Sequence, residues 1–128
     1  MKKYTEDDLK HFTVDGGGWL ICPSGDYSQI NGFGEQCSFG EWCSFGEQCS
    51  HEGLTNSRYV AVDRIGREQR KAYFFAADEG LFVRAGCFFG TADEFRKKVK
   101  ETHKGTRYER EYLLALELAE IMLKEDED

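Results

Sequence analysis

Large apolar side chains recur at every sixth position over residues 33–50, as Phe33, Phe39 and Phe45, each followed by Gly and, four positions on, by Cys. The three hexads FGEQCS, FGEWCS and FGEQCS differ at a single position, with YSQING (27–32) before them and HEGLTN (51–56) after them in the same phase. A period of six fits neither the 3.6-residue helix nor the 3.5-residue coiled coil, but it suits a strand-length segment ending in a corner. The pattern predicts a short β-solenoid of about five hexads over 25–57. Phe would face inward with the small Cys buried beside it, Gly would relieve crowding at a bend, and Glu with Gln or Trp would face outward.

The remaining periodicities are conventional. Thr5-Glu6-Asp7-Asp8 has the form of a capping box, which predicts a helix over about 5–12, and Trp19-Leu20-Ile21-Cys22 reads as a short strand ended by Pro23-Ser24-Gly25. Tyr59 to Ile65, Lys71 to Ala77 and Leu81 to Cys87 are β-type runs, the last two separated by hairpin chemistry at Asp78-Glu79-Gly80. They predict a three-stranded antiparallel meander. Two further capping boxes, Thr91 to Glu94 and Thr106 to Glu109, each open a helix; the second carries an apolar stripe through Tyr108, Tyr112, Ala115, Leu116, Ala119, Met122 and Leu123. The expected fold is a single α+β domain: an N-terminal cap (1–24), the hexapeptide solenoid (25–57), the meander (58–90) and a helical hairpin (91–124).

The hexad pattern of large apolar, Gly, two variable, small, variable resembles the hexapeptide repeat of left-handed β-helices, and the wider arrangement, ending in GCFFGTADEF, resembles small proteins of bacterial phages and prophages. The first resemblance implies three hexads per coil, so that residue i lies over i+18: Tyr27 over Phe45, Asn31 over Cys49 and Phe33 over His51. Fewer than two coils are available, and stacked repeats need about three layers to bury enough surface. The rest of the chain must cap the solenoid, or its open ends must stack on a second copy in a homo-oligomer.

Charge sharpens this picture. With 17 Lys and Arg against 24 Asp and Glu the net charge is −7, and the pI near 5 removes any general attraction to phosphate backbones, so no direct nucleic-acid binding is expected. Residues 25–56 carry Asp26, Glu35, Glu41, Glu47 and Glu52 and no Lys or Arg, whereas 58–71 carry Arg58, Arg64, Arg67, Arg70 and Lys71 against Asp63 and Glu68. There is no 18-residue apolar run and no apolar N-terminal region, so no membrane association is expected and the cytoplasm is the expected compartment. Hydrophobic residues, at 40%, suffice for a core.

Candidate chemistry is sparse. The five cysteines are odd in number and Cys37, Cys43 and Cys49 are spaced by five intervening residues, which suits neither a disulfide framework nor the two-to-four-residue spacing of zinc ligands; reduced, buried thiols and no metal are expected. The glycines form no phosphate-loop motif, and no nucleophile elbow or zincin motif is present. No cofactor is expected. His51 is the general-base candidate in the repeat if the chain is a diminished acyltransferase of the hexapeptide type, the activity that the resemblance implies. Arg64, Arg67, Arg70 and Lys71 could receive phosphates if it binds a nucleotide. The primary expectation is a non-enzymatic acidic module whose Glu35, Glu41, Trp42, Glu47 and Glu52 engage a basic groove on a host protein. Its sharpest form is a phage or mobile-element inhibitor of a nucleic-acid-targeting defence complex, an anti-CRISPR-like protein.

Overall fold

The computed structural model describes residues 1–46 and 49–124, which form two compact units, 1–57 and 58 onward. The first holds a one-turn helix α1 (Glu6–Leu9) and four short strands, β1 (Leu20–Cys22), β2 (Asp26–Tyr27), β3 (Cys37–Phe39) and β4 (Ser44–Phe45). The strands pair as two separate parallel sheets, β1 with β3 and β2 with β4, in a register that sets Cys22 beside Phe39 and Tyr27 beside Phe45. Isolated parallel bridges, Gly32 to Ser50 and Lys3 to Asp26, add further points of contact.

The expected solenoid of five hexads is not formed. Among the described residues its place is taken by two two-stranded parallel pairs. The hexad backbone is broken locally instead: the fourth residue is left-handed at Gln36 (φ 54°) and Trp42 (φ 60°), so the chain bends ahead of β3 and β4, and each strand runs for only two or three residues. HEGLTN does not continue the parallel path either. It turns back on itself through an antiparallel His51–Leu54 bridge, with Leu54 N–H donating to the His51 carbonyl at 2.8 Å.

What the hexads do build is an aromatic column. Consecutive Phe rings meet edge to face, Phe33 with Phe39 at 5.0 Å and 90° and Phe39 with Phe45 at 5.0 Å and 88°. Rings eighteen residues apart stack: Tyr27 on Phe45 at 5.8 Å and 17°, and Phe33 on His51 at 5.3 Å and 13°. Both arrangements satisfy the ring quadrupole, at about 0.5–1.5 kcal/mol per pair beyond the area buried. The hexad glycines have a different role from the one expected. A Cβ at Gly40 would stand 2.9 Å from Ser24 N and one at Gly46 2.7 Å from Ser28 O, so these positions let adjacent passes of backbone close on each other.

The second unit is a four-stranded antiparallel sheet in the order β5 (Arg58–Ile65), β6 (Arg70–Ala77), β7 (Gly80–Ala85) and β8 (Phe88–Thr91), followed by α2 (Ala92–His103) and α3 (Arg107–Leu123). The meander thus has four strands, where three were expected. Gly86, at φ 59°, and Cys87 make a two-residue reversal after which Phe88 to Thr91 pairs with Ala85 to Phe82, so a segment that reads as a connection completes the sheet. Strand alternation sends Ala72, Phe74 and Val83 into one core with Phe95, Val99, Leu116, Ala119 and Leu123 of the helices. At α2 the capping box forms: Thr91 Oγ1 accepts from Glu94 N–H at 3.2 Å and Glu94 Oε1 accepts from Thr91 N–H at 2.9 Å. At α3 no side-chain cap hydrogen bond forms; the Thr106 hydroxyl donates to the His103 carbonyl at 2.7 Å and ties the α2–α3 turn instead. Met122, expected within the buried stripe, is 58% exposed.

Candidate functional site

The acidic residues of the first unit do not play one common role. Glu35 and Glu41 are exposed. Trp42 is 81% exposed and sits in left-handed backbone, a conformation that costs a non-glycine residue on the order of 1 kcal/mol. Its counterpart at the fourth position of the preceding hexad, Gln36, is half-buried, and Gln36 N–H donates to Glu52 Oε2 at 3.0 Å. Glu52, expected on the binding face, therefore braces the first hexad's corner. Glu47 lies outside the described residues. The pair that the structure brings together as an accessible feature is Glu41 and Trp42. Asp26 is also committed internally, accepting from Ser28 N–H at 2.8 Å and Ser44 Oγ at 3.4 Å, and the Ser28 bonds hold its carboxyl below the usual range.

Beneath this surface the titratable groups are core groups. His51 is 2% exposed, its Nδ1 lies 2.9 Å from Ser57 Oγ, and burial pushes its pKa down to about 4, so the ring is neutral at pH 7. An imidazole enclosed among Phe33, Phe39 and Phe45 has no path to a substrate hydroxyl or amine. The partner Ser57, which also accepts from His51 N–H at 2.6 Å, carried no signal in the sequence. Cys22, Cys37 and Cys49 are equally recessed, whereas Cys43 is half-buried and Cys87 is exposed, against the expectation of buried thiols. The hydrogen bond with Cys37, together with burial, pushes the Cys22 thiol far up and favours charge on Cys37, while burial raises Cys49 to about 11. Among the described residues no group of three or more His, Cys, Asp or Glu is placed to hold a metal ion.

The basic residues of 64–71 disperse. Arg64 occupies the β5 bulge in left-handed backbone and lines an apolar cleft; Arg67 stacks over the Tyr108 ring at 5.7 Å. Arg70 and Lys71 line a separate cavity of about 200 Å³ with Glu68 and Tyr112, and Lys71 Nζ lies 4.0 Å from Asp63. The four side chains expected as one phosphate-receiving band thus reach three different places. No helix among the described residues is long and apolar enough to cross a membrane.

No protein-family model, curated protein or solved structure matches the chain. Among the described residues of the hexads, the exposed Glu41–Trp42 corner carries the most exposed large side chain, Trp42, with the exposed Glu35 one hexad before it.

Proposed function

We propose that the chain is a non-enzymatic protein-binding module, carried by a phage or other mobile element. In the host cytoplasm it would engage a basic groove of a nucleic-acid-targeting defence complex and inhibit it, in the manner of an anti-CRISPR protein. The carrying observation is Trp42: a large aromatic left 81% in solvent, beside an exposed carboxylate, on a corner fixed by the aromatic column. Tryptophan is the residue type that most often anchors an interface when it enters a partner pocket. Adjacent negative charge orients approach to a basic surface and speeds encounter, and the net charge of −7 acts in the same direction. A groove that holds nucleic acid offers both positive charge and aromatic-accepting depth.

The test is binding of the purified protein to the guide-loaded defence complex of its host, with and without the target nucleic acid. Trp42→Ala combined with Glu35→Lys and Glu41→Lys should weaken binding at least tenfold at unchanged stability, and target nucleic acid should compete with the wild type. Equal binding by the triple variant sinks the assignment of this surface.

A further inference from the structure

Two chain reversals and one helix residue of the second unit frame a cavity of about 200 Å³. One reversal runs from Gly66 to Gln69, both in left-handed backbone (φ 80° and 50°), and Gln69 N–H donates to the Gly66 carbonyl at 3.1 Å. The other is Gly86-Cys87, between β7 and β8, and the helix residue is Tyr112 of α3. The floor is apolar. Ile65 pairs with Arg70 across the β5–β6 ladder, and Ala72 pairs with Ala85 across β6–β7.

Helix α3 fixes the first reversal at two points. Gly66 N–H donates to Glu111 Oε1 at 2.9 Å, and the Tyr112 hydroxyl fills the space that a Cβ at Gly66 would need. The Tyr112 ring is held in turn, edge to face with Phe95 (centroids 5.5 Å apart, planes at 86°) and stacked with His103 (5.7 Å, 28°). Burial raises its pKa, so the hydroxyl keeps its proton at neutral pH. A donor already held by packing costs little further ordering when a ligand arrives.

Two of the ionised groups beside the cavity are matched within the unit. Lys71 Nζ lies 4.0 Å from Asp63, and Glu111 lies 3.6 Å from Arg107 besides its bond to Gly66. Three groups on the wall are not: among the described residues Arg70, Glu68 and the Tyr112 hydroxyl make no hydrogen bond or ion pair. The Arg70 guanidinium reaches toward the second reversal, where a Cβ at Gly86 would stand 3.7 Å from Nη1. The cavity therefore offers two donors for a carboxylate, one carboxylate for a cation, and no net charge from this set. A simple anion would meet Glu68 and a simple cation would meet Arg70, whereas a zwitterion answers both. At about 30 Å³ per water the volume holds roughly seven waters, which is the scale of one amino acid and small for a nucleotide.

We infer that this cavity binds a free α-amino acid with a small aliphatic side chain: its carboxylate on Arg70 and the Tyr112 hydroxyl, its ammonium on Glu68, and its side chain on Ile65, Ala72 and Ala85. The site shares no residue with the Glu41–Trp42 corner, and its readout does not depend on partner capture. Titration of L-valine and of L-leucine to about 50 mM into isotope-labelled protein should move the amide resonances of Gly66, Gly86 and Cys87 saturably. Isovalerate, which lacks the ammonium, and isobutylamine, which lacks the carboxylate, should each bind at least tenfold more weakly than L-valine. Arg70→Gln should weaken L-valine at least tenfold and leave isobutylamine unchanged; Glu68→Gln should weaken L-valine several-fold and spare isovalerate. Both side chains are exposed, so the two variants should unfold at the wild-type temperature. Absence of saturable shifts with either amino acid overturns the inference. So does isovalerate or isobutylamine binding as tightly as L-valine, or L-valine binding that both variants leave within twofold of the wild type.

Discussion

Phe33 and His51, eighteen residues apart in the chain, stack ring on ring with centroids 5.3 Å apart and planes inclined by 13°. The imidazole takes the place that a fourth phenyl ring would occupy in the column, and it does so in the neutral form. That substitution makes the first unit sensitive to acid. Burial lowers the folded-state pKa of His51 from 6.5 to about 4, so between those values the unfolded chain binds a proton that the folded chain refuses. Above pH 6.5 both states are neutral and His51 adds no pH dependence; as pH falls from 6.5 to 4 stability drops; below 4 both are protonated and the loss levels off. The full loss is about 3 kcal/mol. Urea unfolding at pH 7 and pH 4.5 should show a smaller difference in His51→Gln than in the wild type. The remaining slope belongs to carboxylates such as Asp26 and Glu94, whose hydrogen bonds also weaken as they protonate.

The hexad glycines should separate by position. Gly40→Ala and Gly46→Ala press a methyl group into backbone atoms 2.9 and 2.7 Å away, and each should cost about 1–3 kcal/mol. Gly34→Ala meets nothing within 4 Å and should be neutral or slightly stabilising. Thermal unfolding of the three variants decides this; equal losses at all three positions would mean that backbone approach is not what the repeat requires of Gly.

Trp42 should behave oppositely in stability and in binding. It is 81% exposed and left-handed, so Trp42→Gly removes strain without opening a cavity and should raise stability by up to about 1 kcal/mol. The same variant should lose capture of the proposed partner. A destabilised Trp42→Gly would show that the indole packs on its own unit.

The two helix starts in the second unit should also differ. Thr91→Ala breaks a reciprocal capping box and should cost about 1 kcal/mol, measured as a shift in the urea midpoint. Glu109→Ala, at the position where the sequence suggests the partner of Thr106, should cost far less, because no side-chain bond closes that cap.

The relations that local rules govern were legible in the sequence: the period of six, the stacking of Tyr27 with Phe45 and of Phe33 with His51, and the Thr91 to Glu94 box. Those that depend on backbone conformation or on what a neighbour offers were not. Nothing in FGEQCS announces that its fourth residue is left-handed, yet that corner, just ahead of β3 and β4, interrupts the extended path on which a solenoid was expected. Phe88 to Thr91 reads as a link because its pairing partner, Phe82 to Ala85, is reached only through the Gly86-Cys87 turn. Thr106 and Glu109 match the capping pattern as well as Thr91 and Glu94 do, but the Thr106 hydroxyl finds the His103 carbonyl first. In the candidate site, Glu41 and Glu52 are indistinguishable by charge; only the Gln36 N–H, sixteen residues from Glu52, assigns one to a brace and leaves the other in solvent.

The slot occupied by Gln36 in one hexad holds Trp42 in the next, with the same backbone conformation and the same Phe ring before it. What stands there is chosen from outside the column: a change at this corner alters what the surface offers and leaves what the rings pack against untouched. On the proposed reading of this corner as the partner-binding surface, recognition drifts residue by residue on a framework that does not have to be re-folded to follow it.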